Sequence, residues 1–202
     1  MTATTLAPVS WHRMKQGIEQ VRHRLERAAA ALAGAGIPYA VVGGNAVAAW
    51  VSRVDTAAVR NTRDVDILLR RADLARAQAA LEAAGFVHRR VASLGKAGAM
   101  DVFLDSPEAK VRDAVHILWA GERAVPDAIE PTPDLTRTEH ADGFDLIPLE
   151  DLLRMKLTSF RDKDRMHLRD LVGVALVDES WLPRFPAALA ERLRMILNDP
   201  EG

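Results

Sequence analysis

The stretch Asp64-Val65-Asp66-Ile67-Leu68-Leu69 restricts the fold of this chain more than any other. Its apolar, β-branched end and charged flanks read as a strand, and successive strand side chains point to opposite faces. Asp64 and Asp66 therefore share one face, with Val65 and Ile67 packing behind them. Strand rise sets their Cα atoms roughly 6.5 to 7 Å apart, so both side chains reach one hard cation or a pair of them. Mg²⁺, or Mn²⁺, suits two carboxylates whose shell is completed by waters and substrate phosphates. Taken alone, the spacing also describes a polar strand edge facing water.

A second feature lies upstream. Ile37 to Val42 is a short apolar run with Pro38 near its start, it stops at Gly43-Gly44, and Asn45 to Trp50 is Ala-rich and reads as a helix. Glycines at a strand-to-helix turn let the backbone approach a phosphate, and the helix N-terminus adds N–H donors and the positive end of its dipole. A tight turn needing positive φ is the plainer reading. In this order, glycine pair, helix and acidic strand support each other, one holding phosphate and the other a neutralising metal.

The flanking sequence supplies an α/β core. Ser10 is placed to cap a helix through Leu32 that ends at Gly34-Ala35-Gly36, and Asp73 to cap another that closes at Gly85. Strand candidates follow at Phe86–Ala92, Met100–Leu104 and Val111–Trp119. A proline-rich connector spans Pro126 to Pro133, and helices are expected at Leu149–Phe160, Asp164–Val177 and Pro186–Leu197. A length of 202 residues with 49% apolar and 27% charged residues suits one core with a tail. We expect a core with its N-terminal helix over 1–145 and a C-terminal helical segment packing on it over 146–202.

The chain has no cysteine, which excludes disulfides, thiolate zinc sites and thiol nucleophiles and favours a reducing compartment, the cytoplasm. Met1 to Ser10 has no leader-like pattern, and no apolar run is long enough to span a membrane. The net charge of −1 provides no global attraction to polyanions.

Lys156 falls on the apolar stripe of Leu149, Leu152, Leu153, Leu157 and Phe160, an unusual place for an ammonium. It either snorkels outward or reaches a phosphate. Extending the stripe of the next helix backwards lands on Asp164 and His167, so Lys156 and Asp164 either pair or line a cleft together. Arg60, Arg63, Arg70 and Arg71 bracket the acidic strand, placed to steer a triphosphate or an RNA acceptor, or simply solvated.

Val41-Val42-Gly43-Gly44-Asn45 followed by Thr62-Arg63-Asp64-Val65-Asp66-Ile67 resembles the signature of the nucleotidyltransferase (DNA polymerase β-like) superfamily. Pro148-Leu149-Glu150-Asp151-Leu152, Met155-Lys156-Leu157 and Arg161-Asp162-Lys163-Asp164 resemble small bacterial proteins related to AbiEii-type toxins. The resemblance implies a mixed β-sheet flanked by helices, with a C-terminal helical appendage. It further implies nucleoside triphosphate binding with a divalent metal on Asp64 and Asp66, and nucleotidyl transfer to an acceptor such as RNA, tRNA, a protein hydroxyl or a small molecule. Gly43, Gly44, Asn45, Arg63, Lys156 and Asp164 then become nucleotide-binding candidates. Two departures stand out: Asn45 replaces a usual serine, and His116 stands where a third carboxylate is expected, with Asp101 a second contender for that place. Imidazole favours Mn²⁺, Zn²⁺ or Co²⁺ over Mg²⁺ and can serve as a general base. The alternative function is a catalytically impaired module that binds a nucleotide or a partner protein without turnover, including a cognate antitoxin in a toxin–antitoxin system.

Overall fold

The computed structural model describes residues 10–92 and 99–200. The expectation about a leader over Met1 to Ser10 lies, Ser10 apart, outside the described residues. Helix α1 (Trp11–Gly34) turns Leu25, Ala28, Ala29 and Leu32 inward and ends where Gly36 adopts a left-handed φ of 61°. Strand β1 (Tyr39–Val42), buried at every residue, runs directly into α2 (Gly43–Ser52). Strand β2 (Val65–Leu69) follows a long loop and precedes α3 (Leu74–Ala83). Strands β3 (Val87–Ala92), β4 (Ala99–Leu104) and β5 (Val115–Trp119) come next, then a short hairpin of β6 (Glu139–Ala141) and β7 (Phe144–Leu146). Helices α4 (Leu149–Ser159), α5 (Asp162–Gly173) and α6 (Ala187–Asn198) complete the chain.

The strands form one seven-stranded sheet in the order β3-β4-β5-β2-β1-β7-β6. It is mixed: β2 runs parallel to β5 and β1 to β7, while β1–β2, β3–β4, β4–β5 and β6–β7 are antiparallel. The expected mixed sheet flanked by helices is therefore what the chain forms. Side-chain alternation divides two cores. Val41, Val65, Ile67, Val115 and Phe103 pack with Leu25, Leu32, Ala77 and Leu81 of α1 and α3. On the other face Ala40, Val42 and Leu68 pack with Val47 of α2 and with Leu153, Leu168 and Leu193 of α4, α5 and α6. The C-terminal helices thus share a core with the sheet, and a boundary at 145/146 falls inside β7. Toward β3 and β4 that face carries, among the described residues, the small cluster of Val102, Leu104 and Ala114 with their neighbours. That corner borders a cavity.

Several expected boundaries shift for local reasons. Helix α2 starts at Gly43, so the glycine pair forms its first turn instead of preceding it. Val111–Asp113 is a 3-10 turn, and β5 begins only at Val115. Helix α5 starts at Asp162 because the Asp164 carboxylate accepts the Arg161 N–H (3.3 Å), the arrangement of a capping-box acid. Asp73 makes no cap bond: a 3-10 turn over Arg71–Asp73 feeds straight into α3, and its carboxylate meets Arg76 at 3.2 Å. Ser10 has the extended backbone of an N-cap but no side-chain cap bond.

Candidate metal and nucleotide site

Strand register creates the site. Asp66 on β2 lies beside His116 on the parallel strand β5, so their side chains emerge on the same face. Asp64, just before β2, joins them by alternation. One ligand atom from each of Asp64, Asp66 and His116 lies within 4.8 Å of the other two. His116 Nδ1 is 3.5 Å from Asp66 and 4.0 Å from Asp64. Its Nε2 lies 2.7 Å from the Val111 carbonyl, which can only accept, so Nε2 carries a hydrogen and Nδ1 faces the carboxylates, offering a lone pair to a cation when the imidazole is neutral.

Each carboxylate is held from behind. Thr62 Oγ1 donates to Asp64 Oδ1 at 2.5 Å, and Asn45 Nδ2 donates to the Asp64 carbonyl at 2.7 Å. Asp66 rests on Gly43, whose φ of 69° and lack of a side chain are both required. A Cβ at Gly43 would lie 1.9 Å from Asp66 Oδ2. A Cβ at Gly44 would lie 2.9 Å from the Cβ of Thr62. The glycine pair therefore lets the two acids and the threonine close together.

The facing wall is cationic. Helix α4 ends at Phe160 in a left-handed conformation (φ 45°), which for an aromatic residue costs roughly 1 to 3 kcal/mol. The guanidinium groups of Arg165 and Arg192, each 5.0 Å from the ring, hold it there. The chain then reverses into α5 and presents Arg161 and Lys163 to the acids, with Lys163 Nζ 3.5 Å from Asp64 Oδ2. Deeper in the wall, Lys156 donates to Asp164 at 3.1 Å. Asp164, 1% exposed, also accepts from Ser159 (2.7 Å) and Arg161 Nε (2.8 Å). Lys156, Ser159, Arg161, Lys163 and Asp164 border a cavity of about 1010 Å³ that is also lined by residues of the 124–132 connector and by Val91 and Met100.

Burial and partners set the charge states. Burial opposes ionisation of Asp64, but the Thr62 hydroxyl and the Lys163 ammonium outweigh it and lower its pKa. Burial likewise opposes protonation of His116, yet the Asp66 and Val111 contacts prevail and raise its pKa. Burial lowers the pKa of Lys156. Asp164 is buried too, but Arg161, Lys156 and Ser159 hold it well below the usual carboxylate range. His167, packed behind this wall, is pushed down to about 4 by burial and by Lys156 and Lys163, and its buried Nδ1 has no hydrogen-bond partner.

Residues 10–178 match the family described as "Uncharacterised nucleotidyltransferase". The chain belongs to that family. Among solved structures it is similar to an antigenic nucleotidyltransferase-like protein from Paracoccidioides brasiliensis. The two are 19% identical with a TM-score of 0.55, and the match covers 91% of this chain and 90% of that one. It is also similar to a protein from H. pylori given as a nucleotidyltransferase, at 15% identity and a TM-score of 0.51 over 96% of this chain and 80% of that one. At these identities the likeness shows the shared fold. No curated protein matches the chain.

Of the residues anticipated for this nucleotidyltransferase-family site, Gly43, Asp64, Asp66, His116, Lys156 and Asp164 all border the cavity. Lys156 and Asp164 both pair with each other and line the cleft. Gly44 is buried against Thr62, the Asn45 amide is used on the Asp64 backbone, and Arg63 is exposed away from the cavity wall. Asp101 is not at the cluster. Register pairs Val102 with His116, which turns Asp101 to the opposite face, where it pairs with His88 at 2.8 Å. Thr62, Arg161 and Lys163 were not foreseen as site residues. A hydroxyl two positions before the first acid was the one readable signal for Thr62.

Two carboxylates and one imidazole lone pair make a donor set that fits a divalent cation. No helix among the described residues is long and apolar enough to cross a membrane.

Proposed function

We propose that this chain transfers a nucleoside monophosphate from a nucleoside triphosphate to an acceptor hydroxyl, releasing pyrophosphate, with a divalent cation on Asp64, Asp66 and His116. The observation that carries the reading is the convergence of these three ligand atoms within 4.8 Å opposite a wall of lysine and arginine. Such a pairing suits a substrate that brings both metal and phosphate. The first turn of α2 reaches the cavity at Gly43, where the positive end of the helix favours a phosphate. Lys156 and Arg161 set positive charge on the facing wall. A bound divalent cation supplies charge neutralisation for the entering and leaving oxygens of in-line displacement. His116 retains one lone pair, so Nδ1 serves either the cation or the acceptor proton, never both at once. Imidazole favours Mn²⁺ over Mg²⁺. The absence of cysteine accords with a cytoplasmic site of action.

The test is incubation of the pure protein with labelled nucleoside triphosphates, under Mg²⁺ or Mn²⁺, with total RNA, tRNA, proteins or small-molecule extracts as acceptors. Label is expected in one acceptor class, stronger with Mn²⁺, and lost in Asp64→Asn. No labelling of any acceptor under either metal would overturn the reading. The His116 substitution favours a second possibility, a nucleotide- or partner-binding module without turnover, including a toxin–antitoxin role of the AbiEii kind with a cognate antitoxin. Calorimetry showing nucleotide binding with no product, and turnover gained by His116→Asp, would mark that case.

A further inference from the structure

Lys163 is a cationic group beside the candidate metal position that belongs to neither the ligand set nor the buried network behind it. Its Nζ lies 3.5 Å from Asp64 Oδ2, and its side chain is 46% exposed. It stands in the first turn of α5, where the helix dipole disfavours a cation, so the helix gives it no reason to stay. Its neighbours in sequence are committed elsewhere, Asp162 to Arg165 and Asp164 to Lys156, Arg161 and Ser159. The ammonium of Lys156 repels it from the same wall.

We propose that Lys163 is a displaceable counter-ion: it neutralises Asp64 before loading and passes to the triphosphate when a divalent cation takes its place. The idea rests on the metal-site reading above and deepens it. Asp64 and Asp66 carry two negative charges, so a divalent cation alone balances them and leaves the Lys163 ammonium in excess. A nucleoside triphosphate arriving with that cation brings the negative charge that the ammonium then meets. The side chain borders the cavity and is long and mobile enough to follow.

The two roles require opposite signs in a single variant. Replacing the ammonium by an isosteric apolar group, Lys163→Met, removes a competitor of the metal and a partner of the phosphates. Mn²⁺ binding without nucleotide, followed by paramagnetic resonance or calorimetry, is expected to tighten by roughly three- to fivefold. Binding of inorganic tripolyphosphate at saturating Mn²⁺ is expected to weaken roughly tenfold, and Lys163→Arg to restore most of it. Weakening of both would make Lys163 a structural residue and overturn the proposal, as would no change in either. Wild-type protein that binds no Mn²⁺, or binds it equally in Asp64→Asn, would bring down the metal-site reading itself. Wild-type binding lost in Asp64→Asn, with Lys163→Met silent, would bring down this inference alone.

Discussion

Lys156 and Lys163 each meet an aspartate where α4 gives way to α5, yet the two pairs occupy different media. The Lys156–Asp164 pair is almost wholly enclosed, with side chains 8% and 1% exposed, and a serine and an arginine complete the carboxylate. The Lys163–Asp64 pair is longer, wetter and joins two elements that otherwise face each other across the cavity. An enclosed ion pair loses its hydration and is held by its neighbours, so neither partner leaves without stranding the other. An exposed pair exchanges readily with water and contributes little to stability. The difference teaches that a lysine on a buried stripe is a fastener before it is a ligand, whereas the lysine half in solvent is the one free to move.

Stability measurements offer the hardest test of this contrast. Asp164→Ala leaves Lys156 buried and unpaired, and its urea unfolding free energy is expected to fall by about 3 to 5 kcal/mol. Lys163→Met is expected to shift it by less than about 0.5 kcal/mol in the same assay. Equal effects would erase the distinction.

The pH dependence comes next in size. The folded chain resists protonation of His167 down to about pH 4, whereas the unfolded chain protonates it near 6.5. Stability from this residue is therefore complete above pH ~6.5 and is lost as the pH falls toward 4, by about 3 kcal/mol in all. His116, with a raised pKa, contributes the opposite slope, so the measurement is wild type against His167→Gln, which is expected to flatten that descent. The enclosed Asp164, lowered below the usual carboxylate range, retains its contribution through this window and loses it only at more acid pH.

The smallest effect sharpens the exposed pair. Thr62→Val removes the hydroxyl that fixes Asp64 and is expected to weaken Mn²⁺ binding roughly fivefold, about 1 kcal/mol. Thr62→Ser is expected to stay near wild type, which a purely steric role against Gly44 would not require.

Much of the fold was legible because its signals are local. The helices carry apolar stripes at helical spacing, and β1 and β2 carry apolar runs bounded by glycine and charge. The β6–β7 hairpin escaped because its three-residue strands carry no period, although Asp142-Gly143, with Gly143 at φ 85°, is a hairpin turn dipeptide. Val111 to Asp113 looked extended because two of the first five residues of that run are valines, but the chain needs a turn there to bring its carbonyl onto His116. At the site, the spacing of Asp64 and Asp66 was enough to place both on one face. The choice between His116 and Asp101 was not readable, since it depends on how β4 registers against β5. Lys163 was hidden for the same reason: its meeting with Asp64 arises only from the way α5 docks against the loop before β2.

The imidazole at position 116 changes when the centre can be assembled. Three carboxylates crowded within 4.8 Å would repel one another until an ion arrived, tying maturation of the chain to supply of that ion. With His116 tethered through Nε2 to Val111 and two acids buttressed by Thr62 and Gly43, the pre-loaded arrangement carries less internal repulsion. If the site proposed above takes an ion, it would stand formed before the ion arrives, and scarcity of that ion would idle the protein without misfolding it.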